Sequence, residues 1–198
     1  MADVSRSYWL GALGLAEALG IAVVASTYAA IDRGLIGVEA GAVLLAGGFE
    51  GLCLGTAQAS GLRRLGARPV AWIGLTVAGA VLGYGLSLLG MAGGGDTGAQ
   101  GLEPPLWLIA LAGGGVGLGM GAVMGLVQLP ALPASVARGR WVLANVLGWV
   151  PAMALIMLAA SLAERSWPLW QVAALGAVSG AGAGMCVALA TWAAIKET

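Results

Sequence analysis

Apolar residues run along the chain in six long blocks, with polar residues gathered in short clusters between them. This pattern predicts six helices at about 8–30, 37–61, 70–92, 105–131, 141–163 and 168–194. Each is close to the roughly 20 apolar residues that cross a bilayer. Pro69, Pro105 and Pro168 stand at or near block starts, where a missing N–H costs little. The connections are short except for Gly93 to Pro104, whose glycines mark a flexible loop. Arg6 before the first block has the look of a secretory signal, but a run of about 22 residues is nearer a full span than a signal core. It is read here as a retained first helix of one transmembrane domain covering 1–198.

Inside the blocks, small and polar residues recur at helical spacing. The second carries Gly47, Gly51 and Gly55, then Gln58; the fourth carries Gly117, Gly121 and Gly125, then Gln128; the sixth carries Gly176, Gly180 and Gly184 without the glutamine. Residues four apart drift only about 40° around a helix, so each set makes one flat groove. In lipid such grooves let helix backbones pack closely, or leave bare backbone for a lipid, pigment or substrate. After Gln58 come Leu62-Arg63-Arg64, Trp72 and Gly79; after Gln128 come Leu132, Trp141 and the pair Gly148-Trp149. Equivalent helices then run the same way, which predicts parallel helical-hairpin repeats about a pseudo-axis along the membrane normal. Blocks six and one would form a third, permuted hairpin.

Composition narrows the class. The chain is 60% hydrophobic and 9% charged, with mean hydropathy +0.94. A soluble domain carries about 25% charged residues, so these values point to an all-α integral membrane protein. Net charge is zero and no polybasic run occurs, which argues against nucleic acid as a partner. Histidine is absent, excluding His-ligated haem, histidine-bearing zinc sites and Ser-His-Asp triads. Cys53 and Cys186 are far apart inside apolar blocks and read as small hydrophobes.

Arginine and lysine set the expected orientation. Arg6, Arg63, Arg64, Arg68, Arg138, Arg140 and Lys196 fall on the side of the two termini, against Arg33 and Arg165 on the other. The positive-inside rule then puts both termini in the cytoplasm. Tyr8, Trp9, Trp72, Trp141 and Trp192 are expected in the interfacial belt at that end, with Tyr28, Trp107, Trp167 and Trp170 at the other. Trp149 lies two turns inside its block and reads as a packing residue.

The candidate chemistry is carried by buried polar groups. Glu17 and Glu50 fall near the middle of spans one and two, with no lysine or arginine at matching depth in any block. An ionised carboxylate there costs at least a few kcal/mol unless paired or hydrated. Each is therefore protonated, hydrogen-bonded, or faced by water or a cation. Gln58 and Gln128 need partners, and Asn145 is the expected partner of Gln128 across the hairpin. Structural glue and a ligand site both fit these amides.

The pattern Gly-x-x-x-Gly-x-x-Gln, Leu-Arg-Arg, Trp and a Gly-Trp pair, over Gly47–Gly79 and Gly117–Trp149, resembles small bacterial polytopic membrane proteins with repeated Gly-Gln and Trp-Asn-Gly-Trp signatures. This chain departs from it at Ala80, where the second tryptophan is missing, and in the last copy, which has no glutamine. The resemblance implies the bacterial cytoplasmic membrane and carries no activity. Two functions then stand side by side. One is a non-enzymatic scaffold or accessory subunit, packing other membrane subunits, lipid or carotenoid against its glycine grooves, with no dedicated cofactor. The other is a small proton- or cation-coupled transporter built on Glu17 and Glu50. Ser60, Ser135 and Thr56 lack an evident base, so an enzyme is not expected.

Overall fold

The computed structural model describes residues 5–93 and 104–196. The connection expected at 93–104 lies outside these apart from its two end residues. Among the described residues six helices are long and apolar enough to cross a membrane: α1 (Arg6–Asp32), α2 (Glu39–Leu62), α3 (Pro69–Gly93), α4 (Leu106–Val127), α5 (Arg138–Leu162) and α6 (Leu169–Ile195). Short 3-10 turns at Arg63–Leu65 and Leu129–Ala131 close α2 and α4.

Local chemistry explains the boundaries. The Ser5 hydroxyl accepts a bond from the Tyr8 backbone N–H at 3.2 Å and caps α1. Gly66, at φ +94°, turns the chain between α2 and α3 through a conformation that a side chain resists. Pro105 and Pro168 cap α4 and α6 in extended conformation. Pro151 lies inside α5 and withholds an N–H from the helix ladder.

The helices form an antiparallel bundle in which α2 packs chiefly on α3, α4 on α5, and α1 on α6. Contact between α3 and α4 is much thinner. Each of α1, α3 and α5 turns one stripe inward at four-residue spacing. These are Trp9, Leu13, Glu17 and Ile21; Trp72, Thr76, Ala80 and Tyr84; and Trp141, Asn145, Trp149 and Met153. All are buried except Tyr84 and Met153, which are partly so. The even-numbered helices meet these stripes with glycine. An added Cβ at Gly51 would lie 2.9 Å from the Val77 Cα, at Gly55 3.1 Å from the Ile73 Cα, at Gly121 2.6 Å from the Val146 Cα, and at Gly125 2.9 Å from the Val142 Cα. At Gly47 it would enter the Tyr84 ring, and at Gly117, Gly180 and Gly184 it would strike the carbonyls of Trp149, Glu17 and Leu13. At Gly176 it would stand 2.9 Å from the Ile21 carbonyl oxygen.

Three of the tryptophans expected at the membrane interface are elsewhere. Trp9, Trp72 and Trp141 are fully buried in the bundle at the end where the chain termini lie, whereas Tyr8 is half exposed. An indole N–H is satisfied inside only where an acceptor waits, and here each has one. At the opposite end Tyr28, Trp107 and Trp170 are exposed. There Arg165 grips Asp32 at 2.7 and 2.5 Å, and Arg33 donates to the Trp167 carbonyl at 2.5 Å. Exposed ion pairs contribute little against solvent screening. Asp32→Asn should therefore leave the thermal midpoint in mild detergent unchanged within error; a drop of several degrees would contradict this account.

Candidate functional site

Polar groups gather in two layers of the interior. The first joins α2, α3, α4 and α5 near the termini end. Trp72 Nε1 donates to Gln58 Oε1 at 3.1 Å, and Trp141 Nε1 donates to Gln128 Oε1 at 3.1 Å. The Gln128 amide nitrogen donates to Gln58 Oε1 and to Thr76 Oγ1, each at 3.0 Å. The two indole rings meet edge to face with centroids 5.4 Å apart. On the other side of the bundle Trp9 Nε1 donates to Thr191 Oγ1 at 3.1 Å. Asn145 is not the partner of Gln128: its amide nitrogen turns back along its own helix to the Trp141 carbonyl at 3.0 Å. The Trp141 indole already fills the position beside the Gln128 carbonyl oxygen, so the asparagine is left with a local bond. Gln58 Nε2 and Asn145 Oδ1 are buried without a partner among the described residues.

The second layer holds the carboxyls. Glu17 on α1 is fully buried, and neither of its oxygens has a hydrogen-bond partner among the described residues. Glu50 on α2 accepts a hydrogen bond from the Tyr84 hydroxyl on α3. The two are brought together because α1 and α2 cross at Gly20, where an added Cβ would lie 2.6 Å from the Glu50 Cγ. Glu17, one turn before Gly20, stands close enough for its charge and that of Glu50 to interact.

Beyond this layer the bundle opens into a cavity of about 310 Å³. Its floor and walls include Glu50, Tyr84, Trp149, Met153, Met120 and Ile21. Glu17 is not among the lining residues, so only one of the two carboxyls faces this space. The mouth lies between α3 and α4, at the exposed residues Leu86, Ser87, Val116 and Gly119. Thin packing there explains the opening: α3 and α4 touch through methionine on glycine, with Met120 against Gly83 and Met124 against Gly79. The Trp149 indole N–H is buried and has no acceptor among the described residues, although its side chain borders the cavity. The lining has no lysine or arginine. Among the described residues no three His, Cys, Asp or Glu side chains come together as a metal site.

In comparisons with known proteins, no family model, no curated protein and no solved structure matches this chain. Two site residues escape a reading by composition alone. Tyr84 is one, and its signal is its place in the stripe begun at Trp72. Thr191 is the other, a buried hydroxyl that accepts from the Trp9 indole.

Proposed function

We propose that this protein is a small membrane carrier in which the Glu17–Glu50 pair exchanges protons in step with occupancy of the cavity. The observation that carries this reading is Glu17, fully buried with both carboxyl oxygens unpartnered among the described residues and a second carboxyl, Glu50, nearby. Intramembrane carboxyls are candidates for proton relays and ion pathways. The neutral acid is the form that such surroundings accept, and a proton must leave before either group can hold a cation. Glu50 touches the cavity, and Glu17 adjoins Glu50 deeper in the protein, which suits a relay.

Close contacts also support three equivalent hairpins, α2–α3, α4–α5 and α6–α1, about an axis along the membrane normal. Gly117 and Gly121 abut the carbonyls of Trp149 and Asn145, and Gly180 and Gly184 abut those of Glu17 and Leu13. With this register Ala188 answers Gly125 and Thr191 answers Gln128. Glu17, Ala80 and Trp149 then occupy one level, so a carboxyl and an unpartnered indole face the same axis. The arginine asymmetry supports cytoplasmic termini, and the resemblance in sequence supports a bacterial cytoplasmic membrane.

Dicyclohexylcarbodiimide, which adds to protonated carboxyls in apolar surroundings, tests the proton exchange. Applied to the protein in lipid, it should label Glu50 and Glu17 faster at acidic than at alkaline pH, and E17Q and E50Q should each remove one adduct. Labelling that ignores pH at both positions would sink the reading. A second reading, a scaffold or accessory subunit, is supported by Gly115 and Gly119 on α4. Among the described residues nothing beyond the helix's own backbone lies within 4 Å of a Cβ added at either, which leaves room for a partner helix, lipid or carotenoid. Mild solubilisation tests it: co-purification with larger membrane subunits is its expected outcome.

A further inference from the structure

The cavity also carries information about what it would hold. Its walls combine one carboxyl, a phenol, an indole and two thioethers, with no basic group. An anion would find no basic group to neutralise it here, and its charge would hold Glu50 and Glu17 in their neutral forms. A bare metal cation is equally ill served, since hard cations want six or more oxygen ligands, and Glu50 and Tyr84 are the principal oxygen groups facing this space. A weakly hydrated organic cation has neither difficulty. It can neutralise the carboxylate while its apolar groups lie against Tyr84, Trp149, Met120 and Met153, whose rings and sulfurs attract cations and polarisable surfaces. The volume of about 310 Å³ falls at the lower end of small-molecule sites. The mouth between α3 and α4 faces the lipid, where molecules of this kind concentrate.

We infer that the cavity binds a lipophilic organic cation, which enters from the bilayer between α3 and α4 and takes the place of a proton on Glu50. This rests on the proton exchange proposed above. The balance is simple: the Glu50 carboxylic acid gives up its proton to water, and the carboxylate so formed pairs with the incoming cation. The groups that sense charge at Glu50 are Glu17 and Tyr28 on α1, Cys53 on α2 and Tyr84 on α3. From α4 and α5 the neighbours across the cavity are Met120 and Trp149, which bring no charge.

Equilibrium dialysis on the full chain in lipid nanodiscs tests this with two probes of similar shape. Tetraphenylphosphonium is a cation; triphenylphosphine oxide is neutral and a strong hydrogen-bond acceptor for an unpartnered N–H. Tetraphenylphosphonium should bind with an affinity rising by up to roughly tenfold per pH unit while Glu50 is protonated, releasing about one proton per bound cation. E50Q should weaken it at least about tenfold and abolish the proton release. Y84F, which keeps the ring and Glu50, should bind with altered pH dependence and shows that substitution in this layer does not unfold the protein. Equal binding of the cation to wild type and E50Q, or a preference for the phosphine oxide, would overturn the inference. Glu50-dependent cation binding without proton release would keep the cation site and overturn the proton exchange. Carbodiimide labelling that follows pH, with no cation binding, would do the reverse.

Discussion

Replacing Gly121 by leucine should abolish recovery of a monodisperse protein, while leucine at Gly115, six residues earlier on the same helix, should be tolerated. The difference lies in what each position meets. A Cβ at Gly121 would sit 2.6 Å from the Val146 Cα and 2.7 Å from the Asn145 carbonyl oxygen, both backbone atoms of α5. A Cβ at Gly115 meets nothing within 4 Å. Backbone cannot swing aside as a side chain does, so α4 and α5 would have to separate along the contact that also runs through Gly117 and Gly125. Alanine is the sharper test. In a helix interior it is favoured over glycine by about 0.5–1 kcal/mol, yet overpacking a tight contact costs about 1–3 kcal/mol. Gly121→Ala should therefore be net destabilising, whereas Gly115→Ala should be neutral or stabilising. Melting by fluorescence-detected size exclusion decides the matter. Equal midpoints for the two alanine variants would refute the close-packed α4–α5 contact.

Replacing Gln128 by leucine, which keeps most of the side-chain volume, should cost at least roughly 3 kcal/mol. Three hydrogen bonds disappear together, to Gln58, to Thr76 and from Trp141. Bonds between helices in a membrane are worth roughly 0.6–2 kcal/mol each. The Trp141 N–H would also be stranded where it is fully buried, at about 1–3 kcal/mol. Asn145 offers the contrast. It makes one local bond to its own helix and has an oxygen without a partner among the described residues, so Asn145→Ala, which adds no bulk beside Gly121 and Gly125, should lose only about 0.5–1.5 kcal/mol of hydrogen bonding. Denaturation by SDS in mixed micelles would measure both. A Gln128→Leu variant no weaker than Asn145→Ala would show that the network is not the link between the α2–α3 and α4–α5 pairs.

The span count was legible because lipid demands long unbroken apolar runs. The buried carboxyls were legible too, since charge is so scarce that Glu17 and Glu50 stand out. The partners were harder to see. Tryptophan near a helix end reads as interfacial from sequence, and Trp9, Trp72 and Trp141 have that position. Whether an indole faces headgroups or the bundle depends on acceptors from other helices, and Gln58, Gln128 and Thr191 supply them. The pairing of Gln128 with Asn145 failed for a related reason. Nearness across a hairpin says nothing about which donor reaches an acceptor first, and Trp141 reaches it.

What the sequence determined alone is the set of six apolar helices, the glycine faces at four-residue spacing and the rarity of charge within the spans. These follow from short-range rules of length, period and transfer cost. Only the tertiary structure decided that Glu17 is left unpartnered while Glu50 finds Tyr84, and that a cavity opens between α3 and α4 with just one of the two carboxyls at its wall. Such features depend on where helices cross and how large the facing side chains are. They arise from contacts between residues distant in sequence, here Gly20 with Glu50 and Gly83 with Met120, which no local pattern encodes.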